Sequence, residues 1–172
     1  MGEQASPFAE GGWLQPEWVR AGNVASFSFV AVGKPVPKAR PRVVRNAKTG
    51  FTQTFTPDKT VNWEQAVAWQ AKQALAHVAV NFPGDMDLFP CTGRVAATLR
   101  FNVVRPQSLP KKVLYPVRGA DVDNLAKSVL DALQNMQVIG DDKTVTDLQV
   151  CKRFEEPGHP EGVEIDLTMW FG

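Results

Sequence analysis

The chain has 172 residues, 44% hydrophobic and 22% charged, which suits one globular domain with a real core and argues against a long disordered or fibrous chain. No apolar run approaches the roughly 20 residues that cross a bilayer, and no charged, then apolar, leader opens the sequence, so a cytoplasmic protein without membrane attachment is expected. The net charge of +1 hides a polarity: fifteen Lys or Arg against seven Asp or Glu up to Ala120, then four against eleven from Asp121 onward.

Residues 1–24 mix Gly, Pro, Ser and Gln with isolated aromatics (Phe8, Trp13, Trp18) and no periodic apolar face. They read as an N-terminal arm, either disordered or with its two tryptophans docked on the body or a partner, disorder being the expected state of such a terminus; residues 25–172 would form the folded domain. Ser26 to Val32 alternates polar and apolar residues as a half-buried strand does, and Gly33 ends it. From Lys34 to Arg42 three prolines exclude a helix, and six cations (Lys34, Lys38, Arg40, Arg42, Arg45, Lys48) meet no acid, so an extended, solvated loop is predicted. Such a loop can clamp phosphates; the bland alternative is a solubilising surface.

Asp58 stands where an N-cap would, and Val61 to Val80 carries apolar residues at helical spacing, with Trp69 and Leu75 on the apolar side. Trp63 and Trp69 suit a core better than a base-stacking platform. After a Pro/Gly loop, Arg94 to Val104 places Val95, Ala97, Leu99, Phe101 and Val103 on one face of a strand. A second Pro-rich basic stretch runs to Arg118. Asp121 then caps a helix from about Val122 to Asn135, whose stripe is Val122, Leu125, Ala126, Val129, Leu133 and Met136. A turn through Gly140, Asp141 and Asp142 leads into strands from Thr144 to Arg153 and Val163 to Trp170. The order is β-α-β-α-β-β, an α+β single domain with a small mixed sheet and two main helices. Cys91 and Cys151 are too few and too far apart for a zinc site, and His77 and His159 have no partner at ligand spacing.

The acidic cluster carries the chemistry. Asp123 and Lys127 lie four residues apart on one helical face, with Asp121 just before it. Two carboxylates that close repel unless a cation sits between them, and oxygen ligands favour Mg²⁺ or Mn²⁺. Asp-x-Asp alone is a common cap and turn pattern, and Asp141-Asp142 alone a common solvated turn; together with Lys127 they weigh toward a site. A helix of about 14 residues is roughly 20 Å long, so Asp142 meets Asp121 and Asp123 only if the chain folds back beside the helix. Asp131 and Asp147 have no required chemistry on this reading.

Asp121-Val122-Asp123-Asn124-Leu125-Ala126-Lys127, Asp131-Ala132-Leu133, and Asp141-Asp142 followed by Val145 resemble the D-x-D-N-x-x-K, D-A-L and D-D-x-x-V patterns of the RusA family of phage and bacterial Holliday-junction endonucleases. Gly33 to Arg42 is similar to the basic N-terminal segment of many members, and the likeness runs from about Phe27 to Trp170. The resemblance implies an α/β dimer that cleaves four-way DNA junctions by paired symmetric nicks in recombination and repair. It implies Asp121, Asp123 and Asp142 as essential carboxylates holding Mg²⁺ (Mn²⁺ as substitute), Asp141 as a supporting ligand, and Lys127 as the essential cation. Lys34, Lys38, Arg40, Arg42 and Arg45 would contact DNA. A phosphotransferase using Asp121 is disfavoured, because no buried apolar strand precedes it. The rival from another class is a non-catalytic branched-DNA or nucleic-acid-binding module in which the acids are structural.

Overall fold

The computed structural model describes residues 15–39, 42–45, 50, 52–55 and 57–172. Strands β1 (Glu17–Ala21), β2 (Val24–Val32), β5 (Val95–Val103), β6 (Val145–Phe154) and β7 (Gly162–Trp170) form one sheet in the order β1-β2-β7-β5-β6; β3 (Arg42–Arg45) and β4 (Thr52–Phe55) form a separate antiparallel ribbon. Helix α1 spans Asp58–Asn81 and α2 spans Val122–Asn135. The expected α+β class and its six elements are all present, with three further strands.

Register explains the core. Phe29 pairs with Ile165 and Ile165 with Leu99; Phe27 pairs with Leu167 and Leu167 with Ala97; Ala31 pairs with Val163 and Val163 with Phe101. Because side chains alternate along a strand, these rows share one face, and all nine are buried. Trp63, Val67, Ala71, Ala74 and Val78 of α1, spaced three or four apart, are buried against that core, as are Leu125, Val129 and Leu133 of α2. Each such buried Val or Leu contributes about 1.5–3 kcal/mol.

The other face is polar: Arg100 pairs with Asp166, and buried Glu164 accepts bonds from Asn102 (3.0 Å), Arg153 (2.5 Å) and His159 (2.6 Å). Burial pushes the Glu164 carboxyl up, but the bonds from Asn102 and His159 and the Arg153 charge outweigh it and hold it below its ordinary value.

Three sequence expectations change. Residues 17–24 are not a loose arm: β1 pairs with β2, and Trp18 is buried against Phe27 and Phe89 while its indole N–H donates to Asp85 at 2.7 Å. The isolated aromatics hid this, since β1 buries one residue and shows no alternation over its five positions. Trp69 faces solvent, 58% exposed, because the buried stripe of α1 runs through Trp63 and Val67 instead. The cationic segment is extended and Lys34 is exposed, but the segment does not stand clear of the body. Pro35 is buried and Val36 packs on the core, and the chain then enters β3, whose Arg42 and Arg45 pair with Phe55 and Thr52 of β4. Arg40 and Lys48 lie outside the described residues.

β5 and β6 are parallel, so α2 is the crossover between them. That topology sets the N-terminus of α2 near the carboxyl end of β5 and returns the chain alongside α2 before β6 begins.

Candidate active site

Asp121 opens α2 in an extended conformation (φ −73°, ψ 142°), its carbonyl accepting the Leu125 N–H at 3.0 Å. Its carboxylate makes no capping hydrogen bond. The position is the predicted N-cap, but the side chain does not do a cap's work, which removes the main structural reason for an aspartate there. Asp123, in the first helical turn, is also exposed, and neither carboxylate is bonded to any described residue. The helix N-terminus offsets part of their repulsion. Ala120, just before, is held by Lys152, whose Nζ donates to its carbonyl at 2.7 Å.

Beyond α2 the chain reverses at Gln137, φ +58°, and runs back along the helix. Asp141 accepts the Lys143 N–H at 3.0 Å and pairs with its ammonium at 3.0 Å, closing the short 3₁₀ turn Asp142–Thr144. Those bonds, the backbone one first, draw its carboxyl below the usual range. Asp141 thus has a turn-forming role, and Asp142 is left to point at α2, where it bonds Lys127. Within one chain the return thus brings Asp142 to Lys127.

Lys127 Nζ also lies 2.9 Å from Asp131 Oδ1, and the bonds from Asp142, then Asp131, raise its pKa above the ordinary value. Asp131, for which the sequence requires no chemistry, is thus part of the network. Its other oxygen, Oδ2, is 2.8 Å from Lys38 Nζ, which is in turn 2.8 Å from Glu64 Oε1 on α1. Lys38 therefore does not stand free in a basic loop. Its backbone N–H donates to the Asn124 carbonyl at 2.9 Å, and the Thr60 hydroxyl donates to the Pro37 carbonyl at 3.4 Å, so the loop is fastened to both helices. Gly33, at φ +136°, a conformation that favours glycine, turns the chain out of β2 into this loop. The i,i+4 spacing of Lys127 and Asp131 was the one sequence signal for the network; Glu64 had none, since only tertiary packing brings α1 to the loop.

Asp121 and Asp123, two unclaimed oxygen donors two residues apart, suit a hard divalent cation. Asp142 stands with Lys127, and among the described residues no three His, Cys, Asp or Glu gather at ligand spacing. A cleft of about 800 Å³ adjoins Ala120, with Lys34, Arg118 and Lys152 among its lining residues beside Tyr115 and Phe154. Among the described residues no helix is long and apolar enough to cross a membrane.

The sequence model of the family described as Endodeoxyribonuclease RusA matches residues 33–168. The uncharacterized protein YqaN of Bacillus subtilis (strain 168) is 32% identical over 129 residues, which is 74% of this chain and 87% of that protein. Crossover junction endodeoxyribonuclease RusA of Aquifex aeolicus (strain VF5) is 27% identical over 133 residues, 77% of this chain and 83% of that protein. The crystal structure of Atu1372, a protein of unknown function from Agrobacterium tumefaciens, aligns over 90% of this chain and 80% of that one at 13% identity and a TM-score of 0.47, a likeness too loose to inform function.

Proposed function

The chain belongs to the RusA endodeoxyribonuclease family, and from that premise we propose that it is a Mg²⁺-dependent endonuclease that resolves Holliday junctions by paired nicks. The observation that carries the reading is the return of Asp142 to Lys127 on the helix that begins with Asp121 and Asp123. Residues separated by fifteen positions meet there, and among the described residues neither acid at the helix start has a side-chain partner.

Asp121, Asp123 and Asp142 would hold the metal, with Asp141 supporting Asp142 through the turn. Mg²⁺, or Mn²⁺ in its place, supplies Lewis-acid polarisation of the phosphodiester and lowers the pKa of water there. The reaction is hydrolysis: a water oxygen bonds to phosphorus, the bond to the 3′ oxygen breaks, and a 3′-hydroxyl and a 5′-phosphate remain. Lys127, fixed between two carboxylates, presents its ammonium toward charge building on the phosphoryl oxygens. Arg42 and Arg45 on the β3–β4 ribbon, with Lys34 and Arg40 nearby in sequence, contact DNA phosphates; a two-stranded ribbon also has the dimensions of the major groove. Among the described residues the outer edge of β6 has no sheet partner, and it carries exposed Leu148, an edge that a second copy could cover. A homodimer would place two sites on a substrate with approximate two-fold symmetry.

The binding-module alternative draws support from one observation, the lack of a three-ligand cluster among the described residues. A synthetic four-way junction separates the two. The nuclease nicks it in Mg²⁺, stops in EDTA, and loses cleavage but not affinity on Asp123→Asn. Junction binding without Mg²⁺-dependent nicking of any branched DNA selects the binding module.

A further inference from the structure

The chain of charges running from α1 to the turn before β6 is longer than the reaction needs. Glu64, Lys38, Asp131, Lys127 and Asp142 alternate in sign, each touching the next: 2.8 Å from Glu64 to Lys38, 2.8 Å from Lys38 to Asp131, 2.9 Å from Asp131 to Lys127, and a direct bond from Lys127 to Asp142. The two carboxylates nearest α1 are the most sheltered, with side-chain exposure of 17% at Glu64 and 20% at Asp131 against 48% at Lys127. Asp131 spends one carboxylate oxygen on each lysine, which fixes the plane of the carboxylate and hence where it offers its bond to Lys127.

We infer that Asp131 is a positioning residue for Lys127, and that Lys38 acts by fixing Asp131 instead of gripping DNA phosphate. This rests on the reading of Lys127 as the cation of the active site. A lysine has a flexible stem and a point charge that finds its own geometry. Held by Asp142 alone, Lys127 would swing with an exposed turn; Asp131 adds a second anchor from its own helix, one turn on. Lys38 is the piece that keeps Asp131 from rotating, and it is itself clamped by the Asn124 carbonyl through its backbone and by Glu64 through its side chain. A side chain already bridging two sheltered carboxylates would have to break both ion pairs to reach a phosphate. In the basic segment, then, Lys38 is the hinge pin, and the contacts with DNA fall to its neighbours.

Single-turnover cleavage of a four-way junction, junction affinity against salt, and the mobility of the Lys127 ε-methylene by ¹³C relaxation together test this on the full chain. Asp131→Asn lowers kcat by about 10–100-fold, the usual scale for a residue that orients a reacting group, with KM and junction affinity unchanged, and Asp131→Glu recovers part of the loss. Lys38→Gln lowers kcat in the same sense and leaves the salt slope of binding intact. The double variant is no slower than Asp131→Asn, because both act through one contact. The inference is overturned if Lys38→Gln reduces the salt slope by about 1 with kcat unchanged, the mark of a lost phosphate contact, or if Asp131→Asn weakens affinity and spares kcat. Should Asp131→Asn not fold, Asp131→Glu and Lys38→Gln carry the comparison. Relaxation needs no activity: Lys127 becomes more mobile in Lys38→Gln and in Asp131→Asn, and an unchanged Lys127 refutes the positioning role. A wild-type protein that cuts no junction counts against the nuclease reading, while the relaxation result still decides this one.

Discussion

Asp142 reaches Lys127 from fifteen residues along the chain, after the backbone has run out along α2, reversed at Gln137 and returned beside it. The pair joins the turn before β6 to the middle of the helix whose start carries the exposed Asp121 and Asp123. Lys127→Met keeps the stem and removes the charge. Cleavage is expected to fall by about 10²–10³-fold, the cost of removing one donor that stabilises developing charge, with junction affinity nearly unchanged; single-turnover rates against a gel-shift titration check it.

The ribbon formed by β3 and β4 brings Arg42 and Arg45 together with a partner strand from Thr52 to Phe55. If each arginine neutralises one phosphate, Arg42→Ala and Arg45→Ala each reduce the slope of log affinity against log salt by about 1. The measurement is a binding titration at several salt concentrations, and slopes equal to that of the wild type would remove the ribbon from the DNA interface.

Glu164 is a buried acid on the polar face of the sheet, and Arg153 and His159 both close on it. Glu164→Ala strands both partners and is expected to cost about 2–3 kcal/mol, below the 3–5 typical of a broken buried pair because Arg153 keeps some contact with water. Urea unfolding measures it. The pH dependence follows from the direction of the shift. The folded carboxyl titrates below its ordinary value of 4.5, so its contribution is complete above that value and is lost as pH falls from there through the lower folded pKa. Glu164→Gln should therefore flatten the loss of stability below about pH 4.5, and a wild-type slope in that range would contradict the assignment.

Trp18 fastens β1 to the body through Phe27, Phe89 and Asp85. Trp18→Ala is expected to destabilise by about 3–5 kcal/mol, as loss of a buried large aromatic does. A change under about 1 kcal/mol in urea unfolding would return residues 17–24 to the status of a loose arm.

The legible parts of the sequence were those whose signal is local. The α2 stripe of Leu125, Ala126, Val129 and Leu133 and the β5 face of Val95, Ala97, Leu99 and Phe101 are buried as periodicity predicts. Val122 falls outside the stripe, exposed in the first turn. What the sequence hid depends on contacts between distant segments. β1 is held by its ladder with β2 and buries a single tryptophan, Trp18. The ribbon strands are four residues each, too short for alternation to register. Lys38 looked solvated because no acid stands near it in the chain; its acids come from α1 and α2. Asp131 reads in the sequence as a helix-surface charge with no required chemistry, since a single i,i+4 pair with Lys127 is ordinarily worth only a few tenths of a kcal/mol. Only the second contact, with Lys38, gives it a place in the site.

Asp142 is the member of the site furthest in sequence from the others, and the claim of a single catalytic constellation stands or falls with it. The most direct measurement is single-turnover cleavage of a four-way junction in Mg²⁺ by Asp142→Asn beside the wild type, with junction affinity measured on the same preparations. The account predicts that cleavage drops by at least about 100-fold while affinity stays within a factor of about two. An Asp142→Asn protein that cuts the junction at the wild-type rate would show that the return of the chain to Lys127 serves the fold alone.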